Sequence, residues 1–130
     1  MNIFGIGTDI VNINRFKKSS ILSNNKHKNK IFSKREIKYC EKRKNSASSY
    51  AKRFAAKEAV AKALGTGLIN GLNLKNIEII NNKLGKPSIK VTNFIDSYIK
   101  NLIGKKKYYI HLSLTDDNPW AQAMVIISYR

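Results

Sequence analysis

The strongest constraint on this chain is the alanine-rich stretch from Ser46 to Leu64, closed by Gly65. Alanine has the best intrinsic helix propensity, so this stretch is the strongest helix former in the chain. Glycine is the residue that most readily takes the left-handed conformation that caps a helix C-terminus, which sets the end at Gly65. Ala47, Tyr50, Ala51, Phe54, Ala55, Ala59 and Ala63 fall on one face at helical spacing. A face this small lets the helix lie close to a sheet or to a partner chain.

The rest of the chain supplies that sheet. Ile3 to Val11 is apolar and β-branched, and Gly5 and Gly7 interrupt it. It reads as a buried strand whose glycines allow a close approach to the backbone. Arg15-Phe16 starts a short helical turn, and Ser23 to Lys30 is nearly all Lys, Asn and His, an exposed or mobile segment. Ser33 to Glu36 has the form of a capping box ahead of Ile37 and Cys40. Leu74 to Ile80 reads as a strand, Lys83 to Pro87 as a turn and Ser88 to Val91 as the returning strand. Thr92 is placed to cap a helix that Gly104 closes. Tyr108 to Thr115 and Ala121 to Tyr129 are two further strands, joined by a turn at Asp116 to Trp120. This order predicts one α+β domain over residues 1–130, with an antiparallel-rich sheet packed against one long helix and shorter helices.

Composition narrows the setting. No apolar run has the length a membrane span requires. The first residues show no basic leader and an acid arrives early, at Asp9, so no secretory signal is expected. A single cysteine, Cys40, suits a reducing compartment, so a cytoplasmic protein is expected. Lys and Arg total 25 against 8 Asp and Glu, a net charge of +17. That charge draws polyanions. A joint excess of Lys, Ile and Asn also follows from biased coding composition, so charge alone names no partner.

Three groups of residues could carry chemistry. Glu58 lies one helical turn before Lys62; most such pairs are modest surface ion pairs. Here Arg53, Lys57, Glu58 and Lys62 line a helix that runs into Gly65, Thr66 and Gly67, surroundings that suit a phosphate. Asp9, an acid within an apolar strand, is costly unless paired or bound to a cation. Mg2+ favours one or two carboxylates, with phosphates and waters completing six oxygens. Asp9 and Glu58 fit that sparse pattern if the fold brings them together, which spacing alone leaves open. His111, Ser113 and Thr115 share one strand face, either solvated or forming the floor of a phosphate site. Cys40 has no visible activating partner, and no Walker loop, dinucleotide fingerprint or zinc cluster occurs.

Together these blocks resemble the holo-acyl-carrier-protein synthase family, the small phosphopantetheinyl transferases. The matching segments are Gly5 to Ile10, Arg53 to Gly67 with its Lys57-Glu58 and Gly65-Thr66-Gly67 elements, and His111 to Thr115 followed by Ala121 and Ala123. The turn at Gly85 to Pro87 also matches, so the likeness spans nearly the whole chain. It implies the 4'-phosphopantetheinyl transferase fold. It also implies Mg2+-dependent transfer of the 4'-phosphopantetheine arm from coenzyme A to a serine of apo-acyl carrier protein, for fatty acid biosynthesis, with adenosine 3',5'-bisphosphate as leaving product.

The resemblance further implies that Asp9 and Glu58 are the magnesium ligands and that Lys62 stands by the diphosphate. Arg53, Lys62, Gly65, Pro87 and His111 then contact coenzyme A, and Arg15 contacts the acidic carrier protein. It implies a homotrimer with active sites at the subunit junctions. The base for the serine is left open among Asp9, Glu58 and a water. Two positions depart from the pattern: Asn12 stands where an acid is expected, and nothing transfers onto residues 23–30. Two other readings are weaker. A nucleic-acid-binding module lacks the aromatics interleaved with cations that single strands stack on. A scaffold role leaves Asp9, Glu58 and Lys62 without a purpose.

Overall fold

The computed structural model describes residues 1–17, 24–65 and 73–130. Strand β1 (Asn2–Asn12) leads through a 3-10 turn (Ile13–Phe16) towards helices α1 (Asn25–Ile31), α2 (Lys34–Glu41) and α3 (Ser46–Leu64). A second 3-10 turn (Leu74–Asn76) precedes β2 (Ile77–Asn81), β3 (Pro87–Val91), α4 (Asn93–Ile103), β4 (Tyr108–Asp117) and β5 (Trp120–Tyr129). The strands form two antiparallel sheets rather than one: β1-β5-β4, and the hairpin β2-β3.

The long helix spans the residues its composition predicts. Asn45 caps its start by accepting from the Ser48 amide at 3.1 Å, and Gly65 ends it at φ 78°. It lies across β1 and β5, and the two glycines of β1 explain how closely. A Cβ on Gly5 would stand 1.9 Å from the Ala63 carbonyl oxygen, and one on Gly7 1.8 Å from that of Ala59. The partner β5 is equally smooth beneath the helix, with Ala121 and Ala123 fully buried. Val125 and Ile127 of β5, Ile77 and Ile79 of β2, and Ile95 and Ile99 of α4 complete the buried core. Phe32 and Tyr50, with ring centroids 5.0 Å apart, pack inside it.

The capping box forms as predicted. The Ser33 hydroxyl accepts from the Glu36 amide at 3.2 Å, and the Glu36 carboxylate accepts from the Ser33 amide at 2.9 Å. Its acid does more than cap. Glu36 is buried and takes a 2.7 Å ion pair from Lys57 of α3, itself fully buried. Lys57 also donates to the carbonyl of Leu74 at 3.0 Å and to that of Ile77. The second Glu36 oxygen accepts from the Ile79 amide at 3.1 Å. Burial pulls the Lys57 ammonium below its ordinary pKa, and Glu36 opposes that shift. Lys57 therefore does not join the cation-lined face on which the helical spacing seemed to place it. It is a bolt between α3, α2 and the start of β2.

Four local expectations shift. Leu74 to Asn76 is a 3-10 turn rather than strand, because the Asn73 side chain accepts from the Lys75 amide at 2.9 Å and starts a turn there. Asn25 to Ile31, within the polar segment, is an exposed helix capped by Asn24, which accepts from the Lys26 amide. Ser23, the first residue of that segment, lies outside the described residues. The strands of the last hairpin run further into its turn than predicted, to Asp117 and from Trp120, around a cis Asn118–Pro119 bond. Thr92 precedes α4 in extended conformation without a side-chain capping bond, and Gly104 closes that helix at φ 71°.

Candidate active site

The side chains of β1 alternate between two faces. Gly5, Gly7, Asp9 and Val11 look towards α3, while Ile6 and Ile10 look away from it and are exposed. This alternation delivers Asp9 to the helix. Lys62 of α3 reaches it: its ammonium donates to Asp9 Oδ1 at 3.1 Å and to the Thr8 carbonyl at 2.9 Å. Glu58, one turn earlier, stands in the same group. Burial raises its carboxyl above the ordinary range, and the Asp9 charge raises it further, against the lowering charges of Lys62 and Arg15. Two acids and a lysine that lie far apart in sequence therefore converge at the junction of β1 and α3. Lys62 bridges to β1, beyond the surface pair with Glu58 that its spacing allows.

This donor set fits a magnesium ion. Both acids offer hard oxygen, and the Asp9 charge makes ionisation of Glu58 less favourable, a repulsion that a dication relieves. Among the described residues no group of three or more His, Cys, Asp or Glu could form an all-protein cage. A two-carboxylate site that leaves the other positions to phosphate and water matches the way Mg2+ binds. Arg15 flanks this group from the 3-10 turn after β1, with its guanidinium 5.5 Å from the centre of the Phe54 ring. Asn12, where an acid was expected, caps that turn by accepting from the Asn14 amide at 2.9 Å.

The other predicted residues lie elsewhere. A helix turns about 100° per residue, so Arg53 and Glu58, five positions apart, point about 140° away from each other. Arg53 lies on the flank of α3 that meets α2 and β2. It is 3% exposed, stacked 4.0 Å over the Tyr39 ring, and donates to Asn81 and, at 3.5 Å, to Ser49. It forms the floor of an open pocket of about 730 Å³, whose walls include Lys42, Arg43, Lys44, Lys52 and Pro87. Sequence reasoning named Arg53 and Pro87 but missed these four cations. The run Lys42-Arg43-Lys44 immediately before α3 was the available signal.

Gly65 ends α3 on the side chain-free left-handed cap; Thr66 and Gly67, the rest of the predicted phosphate loop, lie outside the described residues. His111 belongs to the sheet face opposite Asp9. In register, Asp9 pairs with Ala123 and Ala123 with Leu114, whereas His111 pairs with Ile126 and Ile126 with Ile6. His111 Nε2 is 2.9 Å from the Ser128 hydroxyl, and its ring stacks on Tyr109. A single chain thus brings Asp9, Glu58, Lys62 and Arg15 together, and leaves Arg53, Pro87 and His111 on other sides.

Comparison with known proteins gives the family. The profile of the 4'-phosphopantetheinyl transferase superfamily matches residues 5–123. A holo-[acyl-carrier-protein] synthase of Bartonella bacilliformis is 45% identical over 126 residues, covering 96% of this chain and 95% of that one. The crystal structure of the holo-[acyl-carrier-protein] synthase of Neisseria meningitidis superposes with a TM-score of 0.84 at 30% identity, covering 97% of this chain and 98% of that one. The Helicobacter pylori holo-[acyl-carrier-protein] synthase in complex with coenzyme A gives 0.78, also at 30% identity, over 95% and 99%. On the breadth of these matches and the meeting of Asp9, Glu58 and Lys62, the chain belongs to the 4'-phosphopantetheinyl transferase superfamily.

Proposed function

We propose that this chain is a magnesium-dependent holo-acyl-carrier-protein synthase. It transfers 4'-phosphopantetheine from coenzyme A to a serine of apo-acyl carrier protein and releases adenosine 3',5'-bisphosphate. The observation that carries this reading is the convergence of Asp9, Glu58 and Lys62 where β1 meets α3. Asp9 and Glu58 would hold the Mg2+, which when bound neutralises diphosphate charge. Lys62 can turn from Asp9 to the diphosphate, since its side chain is 55% exposed, and hold the charge that develops on the departing phosphate. Asp9, Glu58 and a water are the candidates to take the serine proton. Arg15 at the rim, within a chain of net charge +17, would steer an acidic carrier protein to the site. The nucleotide end of coenzyme A is suited to the basic pocket over Arg53 and Pro87.

These two half-sites face apart on one chain, which supports a homotrimer with active sites at the subunit junctions. One subunit would supply Asp9, Glu58 and Lys62; its neighbour would supply Arg53, Pro87 and His111. The open sheet face favours self-association: Ile6 is 63% exposed, Ile10 59% and Met124 47%, all on the side of His111. No helix among the described residues is long and apolar enough to cross a membrane, and we place the enzyme in cytoplasmic fatty acid biosynthesis.

Asp9→Asn and Glu58→Gln should each remove most turnover from a folded protein; full activity in both would refute the metal-site assignment. Glu58→Gln co-refolded with Arg53→Ala should recover activity that neither has alone, because mixed trimers hold intact junctions. No recovery would place both residues in one subunit's site.

A further inference from the structure

The smooth contact between α3 and β1 raises a mechanical question. Helix carbonyls of Ala59 and Ala63 rest on Gly7 and Gly5, and the face that meets the sheet is almost entirely alanine. Such a contact allows close approach, but it has few interlocking side chains to set how far the helix is turned about its axis. Apolar burial is non-directional and does not set that angle either. Glu58 and Lys62 must nonetheless point at Asp9.

We propose that Lys57 is a positioning residue, and that its buried pairing with Glu36 fixes the rotation of α3 which brings Glu58 to Asp9. The proposal rests on the metal-site reading above. Lys57 holds three directional bonds on the flank away from β1, to the Glu36 carboxylate and to the carbonyls of Leu74 and Ile77. Its anchor is itself fixed, because Glu36 accepts from the Ser33 and Ile79 amides. Lys57 and Glu58 are adjacent, so any rotation of one is passed undiminished to the other. At a helix radius of about 5–6 Å with side chains, a 10° turn moves the Glu58 carboxylate by about 1 Å. Metal sites and reacting groups tolerate little more than this. A buried ion pair is a poor source of net stability compared with apolar side chains of similar size. Its bonds give buried direction, whereas the directional bonds from α3 to β1, those of Lys62 to Asp9 and Thr8, lie at the half-exposed surface.

The variant Lys57→Met/Glu36→Gln tests this. It removes both charges, so neither is left buried alone, and it keeps an oxygen for the capping box. The readouts are the melting temperature and the binding of Mn2+, followed by electron paramagnetic resonance without substrates. The expected result is a folded variant whose Mn2+ affinity is weaker by roughly 10–100-fold, the usual effect of losing support behind a metal ligand. Turnover should fall with it. Ile99→Val, a destabilising change in the core of α4, should lower the melting temperature and leave Mn2+ affinity unchanged. A folded double variant with wild-type Mn2+ affinity would overturn the positioning role while leaving the metal site standing. A wild-type protein that binds no Mn2+ would overturn the metal-site reading, and this proposal with it. Should the double variant not fold, Lys57→Arg decides: it keeps the charge, but its larger planar guanidinium cannot aim donors as the compact tetrahedral ammonium does, and unchanged Mn2+ affinity would refute the proposal.

Discussion

Gly7→Ala probes the contact on which the whole site depends. An added Cβ would stand 1.8 Å from the Ala59 carbonyl oxygen, 2.8 Å from its carbon and 2.9 Å from the Ala63 amide nitrogen. A relaxed carbon–oxygen contact is about 3.3–3.6 Å, so α3 must retreat from β1 by about 1.5 Å. The obstruction is helix backbone, and no side chain can rotate to relieve it. Overpacking of a core typically costs about 1–3 kcal/mol, and a backbone clash belongs at or above the upper end. For a chain of this size, about 3 kcal/mol corresponds to roughly 10 °C in melting temperature. Activity should suffer separately from stability. Asp9 lies two residues along β1 from the clash and Glu58 is adjacent to Ala59, so the retreat separates the two carboxylates. A misplacement of about 1 Å can cost on the order of 100-fold in turnover. Calorimetry and initial rates below the melting transition measure the two effects. Gly104→Ala is the control: its φ of 71° is strained for alanine, but no atom lies within 4 Å of the new Cβ. It should cost about 1–2 kcal/mol and leave turnover unchanged. A Gly7→Ala protein that melts and turns over like wild type would refute the close-contact account.

Glu58→Gln should change how stability responds to pH. The folded Glu58 carboxyl holds its proton to a higher pH than the unfolded one, chiefly through burial and then through the Asp9 charge. Its contribution to stability is therefore full below the unfolded value and drains away as pH rises through the folded value. In metal-free protein, Glu58→Gln should flatten that decline in a pH series of melting temperatures; superimposable profiles would contradict it. Lys62→Met should reduce turnover by at least about 10-fold while the protein stays folded, since Lys62 is half exposed and its bonds to Asp9 and Thr8 are at the surface. An unchanged rate would remove it from the site. Ser33→Ala should cost about 1 kcal/mol in denaturant unfolding through loss of the cap on α2, and more through loss of its 2.6 Å bond to Glu78.

The features legible in the sequence are those with local causes. The end of α3 at Gly65, the Ser33–Glu36 capping box and the glycines that admit a helix each follow from a few neighbouring residues. The division of the described strands into separate sheets, by contrast, depends on which edges meet across the chain, and no local signal encodes it. Lys57 was misread because a lysine in an exposed pattern and a lysine bonded to two carbonyls and a buried acid look alike until the partners are placed. The separation of the predicted coenzyme A contacts was readable in part: five residues of helix already put Arg53 and Glu58 on different flanks. The place of His111 needed the strand register, which sets it on the face away from Asp9. The meeting of Asp9 with Glu58 is a long-range feature that their chemistry suggested and spacing left open, and the resemblance brought the two acids and Lys62 together.

Intact-mass spectrometry of an apo-acyl carrier protein reads the proposed reaction directly. With purified protein, saturating coenzyme A and Mg2+, the carrier should gain the mass of one phosphopantetheine group at its acceptor serine. Adenosine 3',5'-bisphosphate should appear in equal amount, and chelation of Mg2+ should stop both. A carrier whose mass stays unchanged under those conditions would contradict the assignment of this chain as a holo-acyl-carrier-protein synthase.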